Sequence, residues 1–265
     1  VLVFGGGCVR LALSRNACTL VYMSPRSIIS TIIAALLWML SGTVFLLLGS
    51  LYIVLSFVVK PRAIHQITRA ICRILLLCAG QRLTINGRFP DVTSQAYIYV
   101  FNHTSMLDTF IMLAILPEFT GAVGKKEQFS VPIWGAILRR FGAVPLDRDN
   151  RAAAIASMDA VGRSFDEGLS LLVSPEGTRS LTGELGAFKK GPFHLAVRHQ
   201  VPVIPTVIHG AFNSKRKGDW RLFPNRVEIE ICRPICPAPS SLGDAVDGIQ
   251  CAVRTEFIDR LERHK

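Results

Sequence analysis

The stretch AYIYVFNHTSMLD, residues 96–108, decides how the chain is read. Ala96–Phe101 is an apolar run of strand length, rich in aromatic and β-branched residues. A polar turn follows directly, and Ser105–Leu116 resumes the apolar pattern at helical spacing. Strand, turn and helix in immediate succession form the unit of an α/β fold.

The same alternation extends in both directions. Further strands are expected at Arg82–Asn86, Phe119–Val123, Ala143–Leu146, Leu169–Ser174, Val203–His209 and Val227–Cys232. Helices are expected at Pro132–Phe141, Asn150–Glu167, Pro192–His199 and Asp244–Glu262, with Pro117, Gly142 and Gly168 marking helix ends. The pattern predicts an α/β domain over residues 81–265, a largely parallel sheet flanked by helices. No internal repeat or low-complexity tract interrupts it.

Upstream the character changes. Ser27–Val59 is 33 residues without a formal charge. A single span needs about 20 apolar residues and two need about 40, so the run suits a hairpin dipping into one leaflet and turning near Ser41-Gly42, or one long tilted span. Both flanks are basic: Arg10, Arg15 and Arg26 before, Lys60, Arg62, Arg69 and Arg73 after, which favours cytoplasmic flanks. The apolar part is too long for a cleaved signal peptide. Ile64, Ile67, Ile71, Ile74, Leu75 and Cys78 then recur at helical spacing opposite Arg62, Gln66, Arg69 and Arg73. This helix, stopped by Gly80, lies either along a membrane surface or on the core with a solvated basic face. Residues 27–80 are therefore read as a membrane anchor plus a basic amphipathic helix. Residues 1–26 are poorly defined; Met23, ahead of the apolar run, is a candidate start, and Gly5-Gly6-Gly7 matches no phosphate loop.

Charge supports this partition. The net charge is +11 over 265 residues, yet the first Asp or Glu is Asp91, and nine Lys/Arg precede it. The remaining 21 basic and 19 acidic residues nearly balance. A basic excess beside the apolar run suits anionic lipid headgroups, whereas nucleic-acid binding would place it on the folded domain. The seven cysteines (8, 18, 72, 78, 232, 236 and 251) form no CxxC pair, and free thiols in a reducing compartment are expected.

Two strand-to-turn junctions carry candidate chemistry. In the first, His103 and Asp108 would diverge on one continuous helix but meet across a strand-to-helix turn, with Ser105 as N-cap. Asp108 would then accept the Nδ1 proton of His103 and leave Nε2 as a base. A histidine that merely caps a neighbour has the same local sequence. In the second, Pro175-Glu176-Gly177-Thr178-Arg179-Ser180 leaves the strand Leu169–Ser174. Gly177 permits close backbone approach, and Arg179 offers a fork matched to phosphate. Lys189, Lys190 and the following helix start add positive potential. A Glu176–Arg179 ion pair that stiffens the loop is the structural alternative. In GAVPLDRDN, residues 142–150, Asp149 reads as a helix N-cap and Arg148 has no structural duty. VPVIP, residues 201–205, reads as a rigid apolar wall.

These segments, in this order, resemble the four sequence blocks of the glycerolipid acyltransferase family, in particular its 1-acylglycerol-3-phosphate (lysophosphatidic acid) acyltransferases. NHTSMLD matches the NHx4D block, GAVPLDRD the second, PEGTRS the third and VPVIPTVI the fourth; GKKE at 124–127 and FKKGPFHLA at 188–196 also look familial. One departure is Ser174, where a Phe commonly precedes PEGTR. The resemblance implies His103 as general base with Asp108 as its partner. It implies an acceptor site of Lys125, Arg148, Glu176, Gly177, Thr178 and Arg179, with Glu176 and Gly177 shaping the loop. The implied reaction moves a fatty acyl group from acyl-CoA or acyl-carrier-protein to the sn-2 hydroxyl of lysophosphatidate. It implies a membrane enzyme whose catalytic domain faces the cytoplasm. No cofactor, metal or nucleic acid is expected; the bilayer, lysophosphatidate and the acyl thioester are the expected partners. Alternatives are another glycerolipid acceptor (glycerol 3-phosphate or a lysophospholipid), a non-catalytic lipid-binding protein, or a thioesterase.

Overall fold

The computed structural model describes residues 25–91, 95–147, 149–239 and 241–264. Met23, Gly5-Gly6-Gly7, Cys8 and Cys18 lie outside them. The chain opens with helices α1 (Pro25–Val58) and α2 (His65–Cys78) and then alternates: β1 (Gln81–Asn86), β2 (Ile98–Phe101), α3 (Asp108–Ile115), β3 (Thr120–Lys125), α4 (Trp134–Phe141), β4 (Val144–Leu146), α5 (Arg151–Gly162), β5 (Ser170–Val173), α6 (Gly191–His199), β6 (Val203–His209), α7 (Ala211–Ser214), β7 (Asn225–Ile231) and α8 (Leu242–Arg263). All seven expected strands form. Helical turns at Lys126–Ser130 and Ala211–Ser214 were not foreseen, being too short to carry a period.

The strands make one mixed sheet in the order β1-β7-β6-β2-β5-β3-β4. β6, β2, β5, β3 and β4 run parallel, while β7 is antiparallel to β6 and parallel to β1. Strand β2 lies between β5 and β6, so the turns leaving these three strands meet on one rim, where open α/β sheets place their ligands.

Period-2 alternation builds two cores. Ile98 and Val100 point to the face covered by α6 and α8, with Phe193, Val253 and Phe257. Tyr97, Tyr99 and Phe101 point to the opposite face, with Ile111 and Met112 of α3 and Leu76 of α2. Glycines end the helices as expected: Gly142 and Gly168 are left-handed at C-terminal caps. The N-cap of α5 is Asn150, whose side chain accepts from the Ala153 N–H, not Asp149.

The hairpin reading of the apolar run gives way to a single helix. α1 has 34 residues, about 51 Å at the usual rise. It passes through Gly42 unbroken, and the Ser41 hydroxyl donates back to the Leu37 carbonyl at 2.6 Å. Its stretch Ile28–Val58 is long and apolar enough to cross a membrane, with Leu36, Met39, Leu47 and Phe57 largely exposed. This apolar N-terminal helix is a candidate membrane anchor. On its inner side, Phe45 packs against Phe110 of α3 and Trp134 of α4.

α2 matches neither expected disposition in full. It packs on the core through Cys72, Leu75 and Leu76, but its basic face is not simply solvated. Arg73 Nε donates to the Ala114 carbonyl at 3.0 Å, and Arg69 donates to the Ile115 carbonyl at 3.4 Å. His65 Nε2 lies 3.2 Å from the Leu116 carbonyl. Three side chains thus serve the open C-terminal carbonyls of α3, the electronegative end of that helix. The outward residues Ile67, Ile74 and Leu77 are apolar and exposed.

Arg73→Leu keeps an apolar stem but removes the donor. It is expected to lower the unfolding free energy by about 1 kcal/mol, measured by urea titration in detergent. An unchanged midpoint would show that water replaces this cap without cost.

Candidate active site

The β2–α3 turn is organised by a carboxylate. Asp108 is the first residue of α3 and fully buried. Its Oδ2 accepts from the Thr104 N–H at 2.8 Å, the Ser105 N–H at 2.8 Å and His103 Nδ1 at 2.9 Å. Ser105 does not cap the helix through its side chain as expected. The Ser105 hydroxyl donates to the Lys215 carbonyl and accepts from the Leu107 N–H; the turn instead closes on the Asp108 side chain. Burial pushes the Asp108 carboxyl upward, and the imidazole and the two N–H groups oppose that shift. The carboxylate form is the one able to accept all three donors.

His103 therefore presents its Nδ1 edge inward. Nε2 has no hydrogen-bond partner among the described residues, and the side chain is 21% exposed. Phe101 packs edge-on to the ring at 5.7 Å. Asn102 secures the strand end: its amide donates to the Ile208 carbonyl at 2.9 Å and its oxygen accepts from the Ile208 N–H at 2.8 Å, locking β2 to β6.

The PEGTRS loop is stitched to the same backbone. Glu176 Oε1 accepts from the His103 N–H at 2.7 Å, and its Oε2 accepts from the Gly186 N–H at 2.8 Å. The Ser180 N–H donates to the His103 carbonyl at 2.8 Å. Both peptide groups of His103 are thus held by one loop, four residues apart in that loop. Glu176 is buried, which pushes its carboxyl upward against the pull of those two N–H groups. It does not pair with Arg179, so the loop-stiffening ion pair is not what forms. With both oxygens on backbone donors, Glu176 positions the loop. Gly177 is left-handed, at φ +69°, as its close turn requires.

Arg179 is half-buried and, among the described residues, has no carboxylate in ion-pair reach. Two lysines that sequence reasoning missed stand beside it. Lys217 Nζ donates to Thr178 Oγ1 at 3.3 Å and to the Arg179 carbonyl at 3.4 Å. Lys215 is buried, and its ammonium reaches only backbone carbonyls, of Arg216 and Asp219. Burial and the nearby Arg179 hold Lys215 below the usual lysine range. The signal was the Lys215-Arg216-Lys217 run after β6, which looks like any solvated basic turn.

Other expected contributors are dispersed. Lys125 ends β3 on the same rim, two strands from β2; it is half-exposed and 3.4 Å from Glu127. Lys126 pairs with Asp147 at 2.7 Å. Arg148 lies outside the described residues. Lys190 faces away from the site, bound to Asp247 of α8 at 2.5 Å. Among the described residues Cys72, Cys78, Cys232, Cys236 and Cys251 are all free thiols, as expected.

Residues 82–209, which carry the strand-end imidazole–carboxylate pair and the cationic loop locked to it, match the Acyltransferase family model. A 1-acyl-sn-glycerol-3-phosphate acyltransferase alpha from Mus musculus is 31% identical over 197 residues, covering 71% of this chain and 69% of that one. A 1-acyl-sn-glycerol-3-phosphate acyltransferase from Cocos nucifera is 35% identical over 164 residues, 62% of this chain and 53% of its own. The chain thus spans about half the length of the plant relatives it matches. The crystal structure of the 1-acyl-sn-glycerophosphate acyltransferase PlsC from Thermotoga maritima shares the fold, with a TM-score of 0.72 at 21% identity, covering 88% of this chain and 98% of that one. The chain belongs to the 1-acyl-sn-glycerol-3-phosphate acyltransferase family.

Glu176→Gln offers one acceptor oxygen and one NH2 group, so either the His103 or the Gly186 N–H must face a donor. A stability loss of about 1–3 kcal/mol is expected, with faster hydrogen exchange at the His103 amide. Unchanged exchange there would separate the two loops energetically.

Proposed function

We propose that this protein transfers a fatty acyl group from acyl-CoA or acyl-carrier-protein to the sn-2 hydroxyl of 1-acylglycerol 3-phosphate, giving phosphatidate. The observation that carries this reading is the Ser180 N–H donating to the His103 carbonyl. That bond puts the base and the cationic loop on one rigid unit, so a single lysolipid can offer its phosphate to Arg179 and its hydroxyl to His103.

The Asp108 carboxylate holds the Nδ1 proton of His103 and leaves the Nε2 lone pair outward. Nε2 takes the proton of the sn-2 hydroxyl as its oxygen attacks the thioester carbonyl carbon. The C–S bond of the tetrahedral adduct then breaks, and the thiolate leaves and takes up the proton from the imidazolium. Positioned proton transfer of this kind contributes on the order of 10²–10⁴-fold, and holding hydroxyl and thioester together supplies much of the remainder. No acyl-enzyme, metal or cofactor enters these steps.

The acceptor's phosphate would lie against Arg179, with Lys217 and the buried Lys215 adding charge. Lys125 would extend the acceptor site along the rim, Arg148 would add an acceptor contact, and Gly177 and Thr178 would form its floor. A phosphate would relieve the mutual repulsion of Arg179 and Lys215, which the nearby Asp219 carboxylate offsets only in part. An apolar cavity lined by Phe45, Tyr52, Ile71, Phe110, Leu113 and Trp134 opens between α1, α2, α3 and α4. The anchor α1 would keep the domain at the bilayer, with its C-terminal flank of Lys60, Arg62, Arg69 and Arg73 on the cytoplasmic side.

In membranes supplied with labelled acyl-CoA, labelled acyl-carrier-protein and a panel of acceptors, phosphatidate is expected from lysophosphatidate. His103→Ala should lower turnover by about 10²–10⁴-fold; surviving turnover would remove the base assignment. Arg179→Ala should raise the KM for lysophosphatidate far more than that for the acyl donor, and Lys217→Ala should do so to a smaller degree. Equal effects on both substrates would end the phosphate assignment.

A further inference from the structure

The far end of the β6–β7 pair carries a polar cluster that the acyl-transfer reading does not use. β6 and β7 are antiparallel, and His209 is the register partner of Glu228. Glu228 and Glu230 alternate with the core residues Val227 and Ile229, so both carboxylates rise on the face that α8 covers. The segment closing α8 brings His264 over them.

Three ligand atoms converge there, with Glu228 beside one of them. His209 Nε2 lies 2.9 Å from Glu230 Oε1. His264 Nε2 lies 3.2 Å from Glu228 Oε2 and 3.9 Å from Glu230 Oε1. One ligand atom from each of His209, Glu230 and His264 falls within 4.8 Å of the others. Metal–ligand bonds of about 2.1 Å at a tetrahedral angle put neighbouring ligand atoms about 3.4 Å apart, and the observed separations bracket that value.

The surroundings suit a cation. The two imidazoles stack at 4.0 Å, which brings their Nε2 edges to the same carboxylates. The side chains of His209 and Glu230 are only 9% and 15% exposed. Arg260 holds the other oxygen of Glu230 at 2.9 Å and also binds Glu256. It thereby turns Oε1 toward the rings, as an outer-shell partner orients a ligating carboxylate. Glu228, Glu230 and Glu256 outnumber the one arginine, so a divalent ion would balance the cluster. Nitrogen with carboxylate oxygen is a donor set for zinc-class ions.

We propose that His209, Glu230 and His264, with Glu228 as fourth ligand, form a binding site for a zinc-class divalent cation that staples the end of α8 to the β6–β7 pair. The staple is separate from the acyl-transfer chemistry. It adjoins Ile208, which is bonded to Asn102, and Gly210, where the backbone turns at φ +82° into the segment bearing Lys215 and Lys217. A bound ion would therefore stiffen the strand that supports the rim.

The test uses the full chain in detergent, free of any affinity tag and dialysed against chelator, titrated with Co2+ and followed by visible absorption. About one equivalent per chain is expected, with ligand-field bands and no thiolate-to-cobalt charge transfer, and Zn2+ should displace it. Zn2+ should raise the melting temperature of the wild type. His264→Ala, at an exposed position, and Glu230→Gln should each weaken Co2+ binding at least tenfold and abolish the Zn2+-dependent rise. No binding, binding unchanged in His264→Ala, or a thiolate band would overturn the site.

Discussion

The hydrogen bond from the His103 backbone N–H to the Glu176 carboxylate ties the chemistry of this fold to its architecture. Parallel neighbours in a sheet share no turn, so nothing in the β2–β5 ladder obliges their outgoing loops to meet. The Glu176 side chain bridges them below the rim, and the Ser180 N–H closes the same contact from the other side of His103. Gly186 completes the clamp because a β-carbon there would stand 2.8 Å from Glu176 Oε2. A buried carboxylate held by backbone N–H groups is costly to desolvate but specific in geometry. Here it fixes the histidine's backbone, while Asp108 fixes its ring.

The electrostatics are correspondingly divided. Two buried carboxylates, Asp108 and Glu176, lie beneath the histidine; Asp108 Oδ2 and both oxygens of Glu176 accept from donors of their own fold, while Asp108 Oδ1 is buried without a hydrogen-bond partner among the described residues. The cations Arg179, Lys215 and Lys217 lie to one side with only backbone and hydroxyl partners. Negative charge is buried in the fold and positive charge is left open at the rim. In the proposed reaction such a surface would attract an anionic headgroup, and a cationic group placed directly against His103 would compromise the base.

Much of this was legible in the sequence because it follows local rules. Each strand ran apolar between turn residues, and the left-handed glycines at 142 and 168 ended helices as their type predicts. The pairing of His103 with Asp108 was legible because both lie on one turn. What escaped was set by tertiary partners. Ser105 has the right type for an N-cap, but a buried carboxylate three residues on took the backbone donors instead. Asn150 displaced Asp149 as a cap by one position, a distinction no spacing rule makes. Arg69 and Arg73 looked like a lipid-facing stripe, because the carbonyls they serve belong to α3, some forty residues downstream. Lys215 and Lys217 carried no pattern at all: only the packing of α7 against the rim turns a basic loop into part of a site.

The same tertiary logic bears on the anchor. A helix of 34 residues exceeds a hydrocarbon core of about 30 Å by some 20 Å at the usual rise, so tilt alone accommodates it poorly. The helix is engaged with the domain over most of its length: Ala34 and Tyr52 are buried, Trp38 Nε1 donates to the Trp220 carbonyl at 2.7 Å, Phe45 packs on Phe110 and Trp134, and Arg140 stacks over Phe57. Through Phe45 and Tyr52, the packing that docks α1 also shapes the apolar cavity between α1, α2, α3 and α4. A soluble domain on a flexible tether would need each acyl chain to leave the bilayer entirely, at about 0.8 kcal/mol per methylene. In the proposed reaction, an α1 seated in lipid and packed into the fold would hold the domain at the bilayer and lower that cost.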